Sequence, residues 1–381
     1  MTTYEDAGVH NDLKREASKV LYEAAKKTWE NRKGNLGEII TPTDSFSGLR
    51  GMRVGGLPMT TICNLGFDGV GTKMEIGERI DKHNTIAFDL FAMVVDDAVV
   101  RGAEPVLVGS ILDVNSLKAP DETAYMKQLD QLADGYVKAA KAANVAVVNG
   151  EIAELGARVS GYGAFNYNWG AGILWFANEN RAITGKKIRL GHEIVALREY
   201  GPRSNGLSLM RKTLADMYCP EWHKTPEGNA LAEQVLRPST IYCTAISEMF
   251  GGALGEPKVD DIAGVAHITG GGIPEKLARV LEPSECGAAL DNLWEPPHIM
   301  RLLKETGTKA KGPVSDEDAY KTWNMGNGML VITSRSYDVI KIAEKHGLEA
   351  QVVGEVTGTP TIQIKSYTGK WIPPFPIEKS A

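Results

Sequence analysis

The sequence predicts a protein of the α/β (α+β) class that is built from two domains. Its 381 residues exceed the roughly 100–200 residues of one typical domain. Predicted strands and helices are mixed in both halves of the chain, which indicates layered structures around separate cores. The segment at 178–191 is polar and has few apolar residues, so we place the domain boundary there. We expect the first domain at 1–180 and the second at 181–381.

Hydropathy patterns predict the elements of the first half in chain order. Apolar positions recur with helical spacing from Leu13 to Trp29, and Gly34 follows as a stop signal. Residues 34–58 are rich in Gly, Ser, Thr and Pro, which indicates a long loop of the kind that is often functional. The other predicted elements are strands at 59–67, 106–114, 145–152 and 172–177, helices at 85–101 and 121–143, and a flexible turn at 161–168.

The second half shows the same mixture of period-two and helical patterns. The C-terminal residues from 367 onward include three prolines and are expected to form a surface tail. The predicted strands lie at 193–199, 263–268, 286–291, 328–333, 350–356 and 361–366, and the predicted helices at 206–217, 228–250, 274–283, 297–305 and 336–346.

The composition excludes several functional classes. The net charge is −6 and Lys and Arg are scattered, so we expect no nucleic-acid partner. No apolar run reaches the roughly 18 residues that cross a membrane, and the acidic N-terminus does not resemble a signal peptide. The four cysteines form no C-x-x-C pair or zinc-type cluster, which indicates core thiols in a reducing compartment. We therefore expect a cytoplasmic protein.

The hexapeptide from Asp68 to Lys73 (DGVGTK) lies between a predicted strand and a predicted helix. Its glycines, Gly69 and Gly71, allow a phosphate to approach the backbone closely, and a helix N-terminus supplies free N–H groups. Asp68 is suited to hold Mg²⁺ and Lys73 to neutralise a phosphate. The spacing is not that of a Walker A loop, and a plain turn with a capping Asp explains the pattern equally well.

Carboxylates occur where apolar residues are expected. Asp89, Asp96 and Asp97 lie within the apolar helix at 85–101, where an unpaired carboxylate is costly unless a cation or donors satisfy it. Glu151 follows the buried strand at 145–152 and is placed at a strand end, where sites gather in open sheets. The alternatives are a solvent-facing stripe on the helix and a capping or surface Glu.

A triple-glycine turn follows the strand at 263–268. His267 precedes Thr269, Gly270, Gly271 and Gly272, and a helix starts after them. This turn leaves backbone donors open to a phosphate, and His267 at its rim is able to hydrogen-bond a substrate or move a proton. The alternative is a structural histidine.

Two further turns carry weaker signals. Arg203, Ser204 and Asn205 precede a helix, where capping alone accounts for Ser or Asn, and Asn324 belongs to a turn before the strand at 328–333. Together, these turns and carboxylates predict a phosphate-bearing ligand and Mg²⁺ in a cleft between the two halves.

Six motifs in order resemble one known family. The motifs span residue 4 to about 356 and resemble phosphoribosylformylglycinamidine cyclo-ligase, also called aminoimidazole ribonucleotide synthetase. They are Tyr4–Val9, Asp68–Lys73, Ala92–Pro105, Ser204–Gly206, His267–Gly272 and Asn324–Met329.

The resemblance implies a two-domain synthetase fold. In it, N-terminal strands of two subunits pair in a homodimer, and the C-terminal domain has a mixed sheet. It implies that formylglycinamidine ribonucleotide and ATP react to aminoimidazole ribonucleotide, ADP and phosphate, with Mg²⁺ present. Within the wider superfamily, the alternatives are another ATP-dependent synthetase or kinase, or a non-catalytic nucleotide-binding relative.

The resemblance also implies a set of site residues. The expected metal ligands are Asp68, Asp97 and Glu151, and the expected catalytic residues are His267, Asp97 and Lys73. The expected ATP and phosphate contacts are Gly69, Gly71, Thr72, Lys73, Lys27, Ser47 and Gly48, and the expected substrate contacts are Arg203, Ser204, Asn205, Thr269, Gly270, Gly271, Gly272 and Asn324.

Three positions depart from the family pattern. The family usually has His where Arg203 stands and Asn where Asp96 stands, and the turn after Glu151 and Glu154 is altered. An arginine does not act as a base near neutral pH, but its planar fork is suited to bind a phosphate. These departures bear on the substrate contacts more than on the fold.

Overall fold

The computed structural model describes residues 10–43, 48–119, 121 and 123–378. The chain forms two compact units. The first unit runs to Val95 and resumes from Pro105 to Phe176, and the second contains Asp96–Glu104 and the chain from Ala177 onward. We expected residues 96–104 in the first domain, because the predicted helix at 85–101 continues past Val95 and no sequence feature marks a boundary there. The functional roles expected for the two domains stay predictions.

The first unit is built on a four-stranded sheet. The strands are β1 (Thr61–Gly69), β2 (Ala103–Val114), β3 (Ala146–Glu154) and β4 (Tyr167–Asn178), and the helices are α1 (Asn11–Thr28), α2 (Met74–Ile80), α3 (Ile86–Val99) and α4 (Met126–Ala143). The strand order is β1-β4-β2-β3, and β2 and β3 run parallel. Helix α1 packs on α4 and β3, and it buries small residues such as Ala17 and Ala24. One side of the sheet is thereby covered by helices.

The predicted strands and helices of this unit are confirmed, with shifts at their ends. β1 extends through Asp68 and Gly69, so these two residues end a strand instead of beginning a turn. β4 begins at Tyr167, within the stretch predicted as a flexible turn. Helix α4 begins only at Met126, five positions after the predicted start at 121.

The second unit is built on a seven-stranded mixed sheet. The strands are β5 (Glu193–Arg198), β6 (Ile262–His267), β7 (Gly287–Leu290), β8 (Asn327–Thr333), β9 (Ala350–Thr357), β10 (Thr361–Ile364) and β11 (Phe375–Pro376), in the order β11-β10-β7-β9-β5-β8-β6. The helices are α5 (Leu207–Met217), α6 (Pro226–Val235), α7 (Cys243–Phe250), α8 (Gly272–Leu281), α9 (His298–Thr306), α10 (Asp316–Thr322) and α11 (Ser336–Lys345). Every residue of β8 is buried. β8 is therefore a core strand although it lies next to the edge of the sheet, and the edge strand β6, which carries His267 at its end, pairs antiparallel with it.

Several predictions for the second unit were wrong in detail. The helix expected at 228–250 is two helices, because Pro238 lies between them and restricts the residue before it to extended conformations. Helix α10 was not predicted. The C-terminal residues are not only a surface tail, since Phe375 is buried and pairs with Ile362 of β10.

The expectation of core thiols was wrong for two of the four cysteines. Cys63 and Cys219 are exposed, whereas Cys243 is buried and Cys286 is intermediate. None of the described helices is long and apolar enough to span a bilayer.

Gly206 illustrates how tightly the second unit is packed where α5 begins. Its φ is +71°, close to the +72° of Gly34. A Cβ at Gly206 would overlap the indole of Trp323, whereas a Cβ at Gly34 would meet no atom within 4 Å. The two glycines therefore share a backbone conformation and differ in the space around them.

We expect Gly206→Ala to lower the free energy of unfolding by more than Gly34→Ala does. A left-handed non-glycine residue costs about 1–3 kcal/mol, and forcing an atom into a packed core adds about 1–3 kcal/mol. Thermal and urea unfolding of both variants measures the difference. Equal destabilisation would show that the contact with Trp323 contributes nothing.

Candidate active site

The end of β1 and the turn after it place the DGVGTK segment at the surface of the first unit. Asp68 and Thr72 are exposed, and a short 3₁₀ turn at Gly71–Lys73 leads into α2. The Asp68 carboxylate accepts a hydrogen bond from the Gly69 N–H at 2.7 Å. Gly71 has a φ of +69°, which suits glycine. The segment therefore presents a hydroxyl and a bare backbone, which suit a phosphate, and a carboxylate, which suits a cation bound to that phosphate.

Lys73 differs from its neighbours in this turn. Its ammonium group is fully buried and donates to Asp89 Oδ1 at 2.7 Å, and the Asp89 side chain is fully buried too. This ion pair joins the turn to α3 and explains the carboxylate in the middle of an apolar helix. The Lys73 ammonium is therefore already paired with Asp89 inside the first unit. The contact between Lys73 and a phosphate stays a prediction, and the burial of the ammonium does not favour it.

A cavity of about 500 Å³ lies between α1 and the strands β2 and β3 of the first unit. Its lining is aromatic at Tyr22, Trp29 and Trp169 and polar at Arg50 and Glu151. The Glu151 side chain is 64% exposed, and it pairs with the Lys14 ammonium at 3.5 Å. The cavity thus combines flat apolar walls with a few polar groups, which is the usual lining of a small-molecule pocket.

The residues near the N-terminal loop that were predicted to contact ATP, namely Lys27 on α1 and Ser47 and Gly48 in the loop, lie in different places. Gly48 lines the cavity, whereas Lys27 is exposed and lines a separate groove between α1 and α4. Ser47 lies outside the described residues. The structure therefore does not bring Lys27 and Gly48 together.

Glu154 has a structural role in the first unit. Its carboxylate accepts hydrogen bonds from the His10 backbone N–H at 2.9 Å and the Leu117 N–H at 2.8 Å, and it contacts the His10 ring at 2.9 Å. Burial opposes ionisation, but these donors more than offset it and lower the pKa of Glu154. Glu154 therefore ties the start of α1 to the end of β3.

In the second unit, Arg203 lies at the centre of a buried ionic cluster. Its guanidinium donates to Glu199 Oε2 at 2.8 Å and to Asp96 Oδ2 at 2.9 Å, and all three side chains are fully buried. The Tyr242 backbone N–H donates to the other Asp96 oxygen at 3.0 Å. Burial opposes the charge on Arg203, yet the two carboxylates outweigh it and raise the pKa of Arg203 further. Asp96 and Arg203 are thus partners of each other.

His267 connects this cluster to the surface. Its Nε2 lies 2.7 Å from Arg203 Nη2, and its Nδ1 lies 2.6 Å from Asp97 Oδ1. The His267 side chain is almost fully buried, whereas that of Asp97 is 58% exposed. Partial burial opposes ionisation of Asp97, but the His267 contact and nearby positive charges more than offset it and lower the pKa of Asp97. Asp97 is therefore an exposed, ionised carboxylate held by a buried network.

The triple-glycine turn lies directly after His267 and begins α8. Gly271 and Gly272 have φ values of +88° and +63°, and Thr269 accepts a hydrogen bond from the Gly272 N–H at 3.0 Å. The Asn205 amide oxygen would lie 3.4 Å from a Cβ at Gly270. Thr269, Gly270 and Asn205 are thus gathered at one helix N-terminus, where an anion is favoured.

Other predicted substrate residues are enclosed. Within the described chain, the Ser204 hydroxyl is buried without a hydrogen-bond partner. Asn324 is buried and bonds to the Gly201 carbonyl at 2.9 Å and the Gly326 N–H at 2.8 Å. Arg203 is likewise enclosed. For Arg203 and Asn324, contact with substrate stays a prediction, because the structure engages both side chains with protein groups.

The carboxylates predicted to hold Mg²⁺ do not form one preassembled cluster. Among the described residues, no group of three or more His, Cys, Asp or Glu side chains is arranged to hold a metal ion. Asp68, Asp97 and Glu151 are nevertheless all accessible carboxylates, which is the donor type that Mg²⁺ requires. Because Mg²⁺ usually takes one or two carboxylates together with substrate phosphates, these residues fit the ion without a preformed protein cage.

Sequence analysis missed Glu199, Tyr242 and the aromatic residues of the cavity. Glu199 lies four positions before Arg203 and directly follows a buried strand. This spacing of an acidic and a basic residue is the local signal that could have predicted their ion pair. Trp169 and Trp29 are distant in sequence, so no local pattern indicated that they face one cavity.

Comparison with known proteins assigns the chain to a family. Residues 59–167 match the family described as AIR synthase related protein, N-terminal domain, and residues 189–366 match its C-terminal domain. A phosphoribosylformylglycinamidine cyclo-ligase of Thermococcus kodakarensis is 32% identical over 371 residues, covering 96% of this chain and 99% of that protein. The cyclo-ligase of Pyrococcus furiosus is 33% identical over 376 residues, covering 98% of this chain and all of that protein.

The chain belongs to the phosphoribosylformylglycinamidine cyclo-ligase family. Members of this family are ligases that form a C–N bond in purine biosynthesis by an ATP-dependent cyclisation.

Solved structures share the fold of this cyclo-ligase family member. A thiamine-monophosphate kinase from Stenotrophomonas maltophilia superposes with a TM-score of 0.60 at 15% identity, covering 90% of this chain and 95% of that one. The Thermotoga maritima PurL complexed with FGAR superposes with a TM-score of 0.53 at 15% identity, covering 96% of this chain and 52% of that one. At such identities, the likeness establishes the two-unit synthetase fold and nothing about the reaction.

We expect Lys73→Met to destabilise this cyclo-ligase strongly. It leaves the Asp89 carboxylate buried without its cation, and breaking one partner of a buried pair costs about 3–5 kcal/mol. The double variant Lys73→Met/Asp89→Leu removes both charges and is expected to recover most of the loss. Thermal unfolding midpoints of the three proteins measure this.

The matched control for the buried pair is Lys33→Met. Lys33 pairs with Glu30 at 3.2 Å on the exposed surface of the first unit, where ion pairs contribute little. If Lys73→Met were as stable as this control, the buried pair would not support the turn.

Proposed function

We propose that this chain converts formylglycinamidine ribonucleotide and ATP to aminoimidazole ribonucleotide, ADP and phosphate. The observation that carries the proposal is identity of 32–33% to curated cyclo-ligases over nearly the whole length of both chains. The exposed DGVGTK turn of the first unit and the triple-glycine turn of the second support it, because each offers an anion-binding backbone.

The chemistry requires activation of a poor leaving group. An amide oxygen does not leave readily, and transfer of the γ-phosphoryl group to the formyl oxygen turns it into a good leaving group. The ribose-bearing nitrogen then attacks the formyl carbon and loses a proton, and the new C–N bond closes the imidazole ring as the C–O bond breaks and phosphate departs. The protein contributes positioning and charge stabilisation more than covalent chemistry.

The accessible site residues are suited to these tasks. In this proposal Gly69, Gly71 and Thr72 bind phosphate groups of ATP, and Asn205 and the Thr269–Gly272 turn bind the ribonucleotide. Asp68, Asp97 and Glu151 would hold Mg²⁺, which supplies charge neutralisation for the transferring phosphoryl group when it is bound.

A steady-state assay tests the reaction and its metal requirement. Purified protein with both substrates and Mg²⁺ is expected to release aminoimidazole ribonucleotide, ADP and phosphate in equal amounts, and chelation is expected to stop turnover until Mg²⁺ is restored. We expect Asp68→Asn to raise the Mg²⁺ concentration needed for half-maximal rate by at least about tenfold, because a contact to a charged group contributes about 1.5–3 kcal/mol. Asp338→Asn on α11 is the control and is expected to leave the rate unchanged.

Two other outcomes would overturn the proposal. ATP binding without turnover would indicate a non-catalytic nucleotide-binding relative. Phosphoryl transfer from ATP to a different acceptor, without formation of the imidazole, would indicate another synthetase or kinase of the same fold.

We further propose that the protein acts as a homodimer that pairs through the open face of the first sheet. Leu65 and Phe67 of β1 and Ile111 of β2 are each more than half exposed. The Phe67 ring lies across Gly172 of β4, where a Cβ would approach the ring to 2.8 Å. An apolar sheet face of this kind marks an interaction surface, and the family resemblance implies a second copy as its partner.

Light scattering after size-exclusion chromatography tests the dimer. Phe67→Asp is expected to shift the protein from dimer to monomer, because it places a charge at the centre of the apolar face. Leu190→Asp is the control, since Leu190 is a comparably exposed apolar residue of the second unit. A monomeric wild-type protein would refute the proposed homodimer.

We also propose the reducing cytoplasm as the compartment of the protein. Its four cysteines, all of which lie in described residues, are free thiols. Exposed thiols such as Cys63 and Cys219 persist in a reducing compartment and tend to pair elsewhere.

A further inference from the structure

The Arg203 guanidinium is enclosed by acceptors in the second unit. Besides Glu199 and Asp96, it donates to the Thr240 carbonyl at 2.7 Å from Nη1 and contacts His267 Nε2 at 2.7 Å from Nη2. Its carbon lies 5.2 Å from the centre of the Tyr242 ring. These contacts hold the planar fork in one orientation.

The contact between Arg203 and His267 determines which nitrogen of the histidine carries hydrogen. A guanidinium has only donors and stays charged, so His267 Nε2 must accept with its lone pair. A neutral imidazole then carries its hydrogen on Nδ1, which is the nitrogen that lies 2.6 Å from Asp97 Oδ1. Protonation of Nε2 would set two donors against each other at 2.7 Å.

Arg203 itself is fixed from several directions. Glu199 Oε1 accepts from the Tyr200 N–H at 2.8 Å and from the Thr240 hydroxyl at 3.2 Å, so the carboxylate that holds Nη1 is bonded on both oxygens. The backbone of Arg203 has a φ of +55°, which is unfavourable for a residue with a side chain and persists where the surroundings impose it. The cluster is therefore built to place this guanidinium.

The chain of contacts ends at an accessible carboxylate. From Arg203 it passes through the buried imidazole of His267 to Asp97, which is the one member of the chain with a largely exposed side chain. A hydrogen bond donated to Asp97 Oδ1 fixes the plane of the carboxylate and favours its ionised form, and hydrogen bonds of this kind hold the carboxylates that bind cations.

We propose that Arg203 is a positioning residue, which holds His267 as the neutral Nδ1–H tautomer so that His267 orients the Asp97 carboxylate for the Mg²⁺–phosphate group of the reaction. This inference rests on the proposed function and changes the role that the sequence suggested for His267. His267 positions Asp97 and does not exchange a proton through Nε2 while Arg203 occupies that nitrogen.

Nuclear magnetic resonance of ¹⁵N-histidine-labelled protein tests the tautomer without any turnover. His267→Gln identifies the His267 signals by their loss. We expect the wild-type signals to show hydrogen on Nδ1 and a lone pair on Nε2. Hydrogen on Nε2, or on both nitrogens, would overturn the inference even if the cyclisation assay succeeds, and a failed cyclisation assay leaves this measurement intact.

Kinetics of Arg203→Lys test the positioning role. The lysine keeps the positive charge against Asp96 and Glu199 but lacks the fork that reaches His267. We expect kcat to fall about 10–100-fold and the Mg²⁺ requirement to rise, as loss of an outer partner usually does, with little change in KM for the ribonucleotide. Arg335→Lys, a surface arginine paired with Asp338, is the control.

A double variant keeps the test decisive if Arg203→Lys does not fold. Asp96→Asn/Arg203→His removes one buried negative charge and the buried positive charge together, so the net buried charge is conserved. We expect it to be more stable than Arg203→His alone and to recover part of kcat. Wild-type kinetics in Arg203→Lys, or a loss confined to its unfolding midpoint, would refute the role of Arg203 as a positioning residue, and so would the full wild-type kcat in the double variant, which has no guanidinium at this position.

Discussion

A single buried guanidinium organises the site of the second unit. Arg203 lies between Asp96 and Glu199 with all three side chains removed from water, which is costly unless the charges are paired and hydrogen-bonded, and both terminal nitrogens of Arg203 have acceptors while its Nε has none among the described residues. The partners come from four places in the sequence, namely the end of β5, the segment before α7, the last strand residue His267, and α3. Because no member can move without leaving a charge unpaired, the cluster fixes the geometry that reaches Asp97.

The first unit uses the same principle on a smaller scale. Lys73 and Asp89 form a fully buried pair, and Glu154 binds the start of α1 through His10 and the loop through Leu117. In both cases the charged residue holds neighbouring segments in place, and the accessible groups next to it remain available for ligands. Asp68 and Thr72 beside Lys73, and Glu151 near Glu154, are such accessible groups.

Some residues that the sequence suggested as ligand contacts are buried, whereas others are accessible. Lys73, Arg203 and Asn324 look like ligand contacts in the sequence because they stand in glycine-rich motifs, yet each is bonded to protein groups. Asp97, Asn205 and the triple-glycine turn retain the surface positions that a ligand contact requires. Asp96 and Arg203, which the sequence treated as two separate signals, form one ion pair.

The sequence by itself determined the two-domain α/β class, most strands and helices, the glycine-rich turns and the family. These features depend on local periodicity and on short motifs, which adjacent residues specify. It did not determine the break between α6 and α7, the strand at Phe375, the assignment of 96–104 to the second unit, or which charges are buried. Only the tertiary structure decided these, because burial and pairing depend on which distant segments meet. The partner of Arg203 lies more than a hundred positions away at Asp96, and no local pattern encodes that contact.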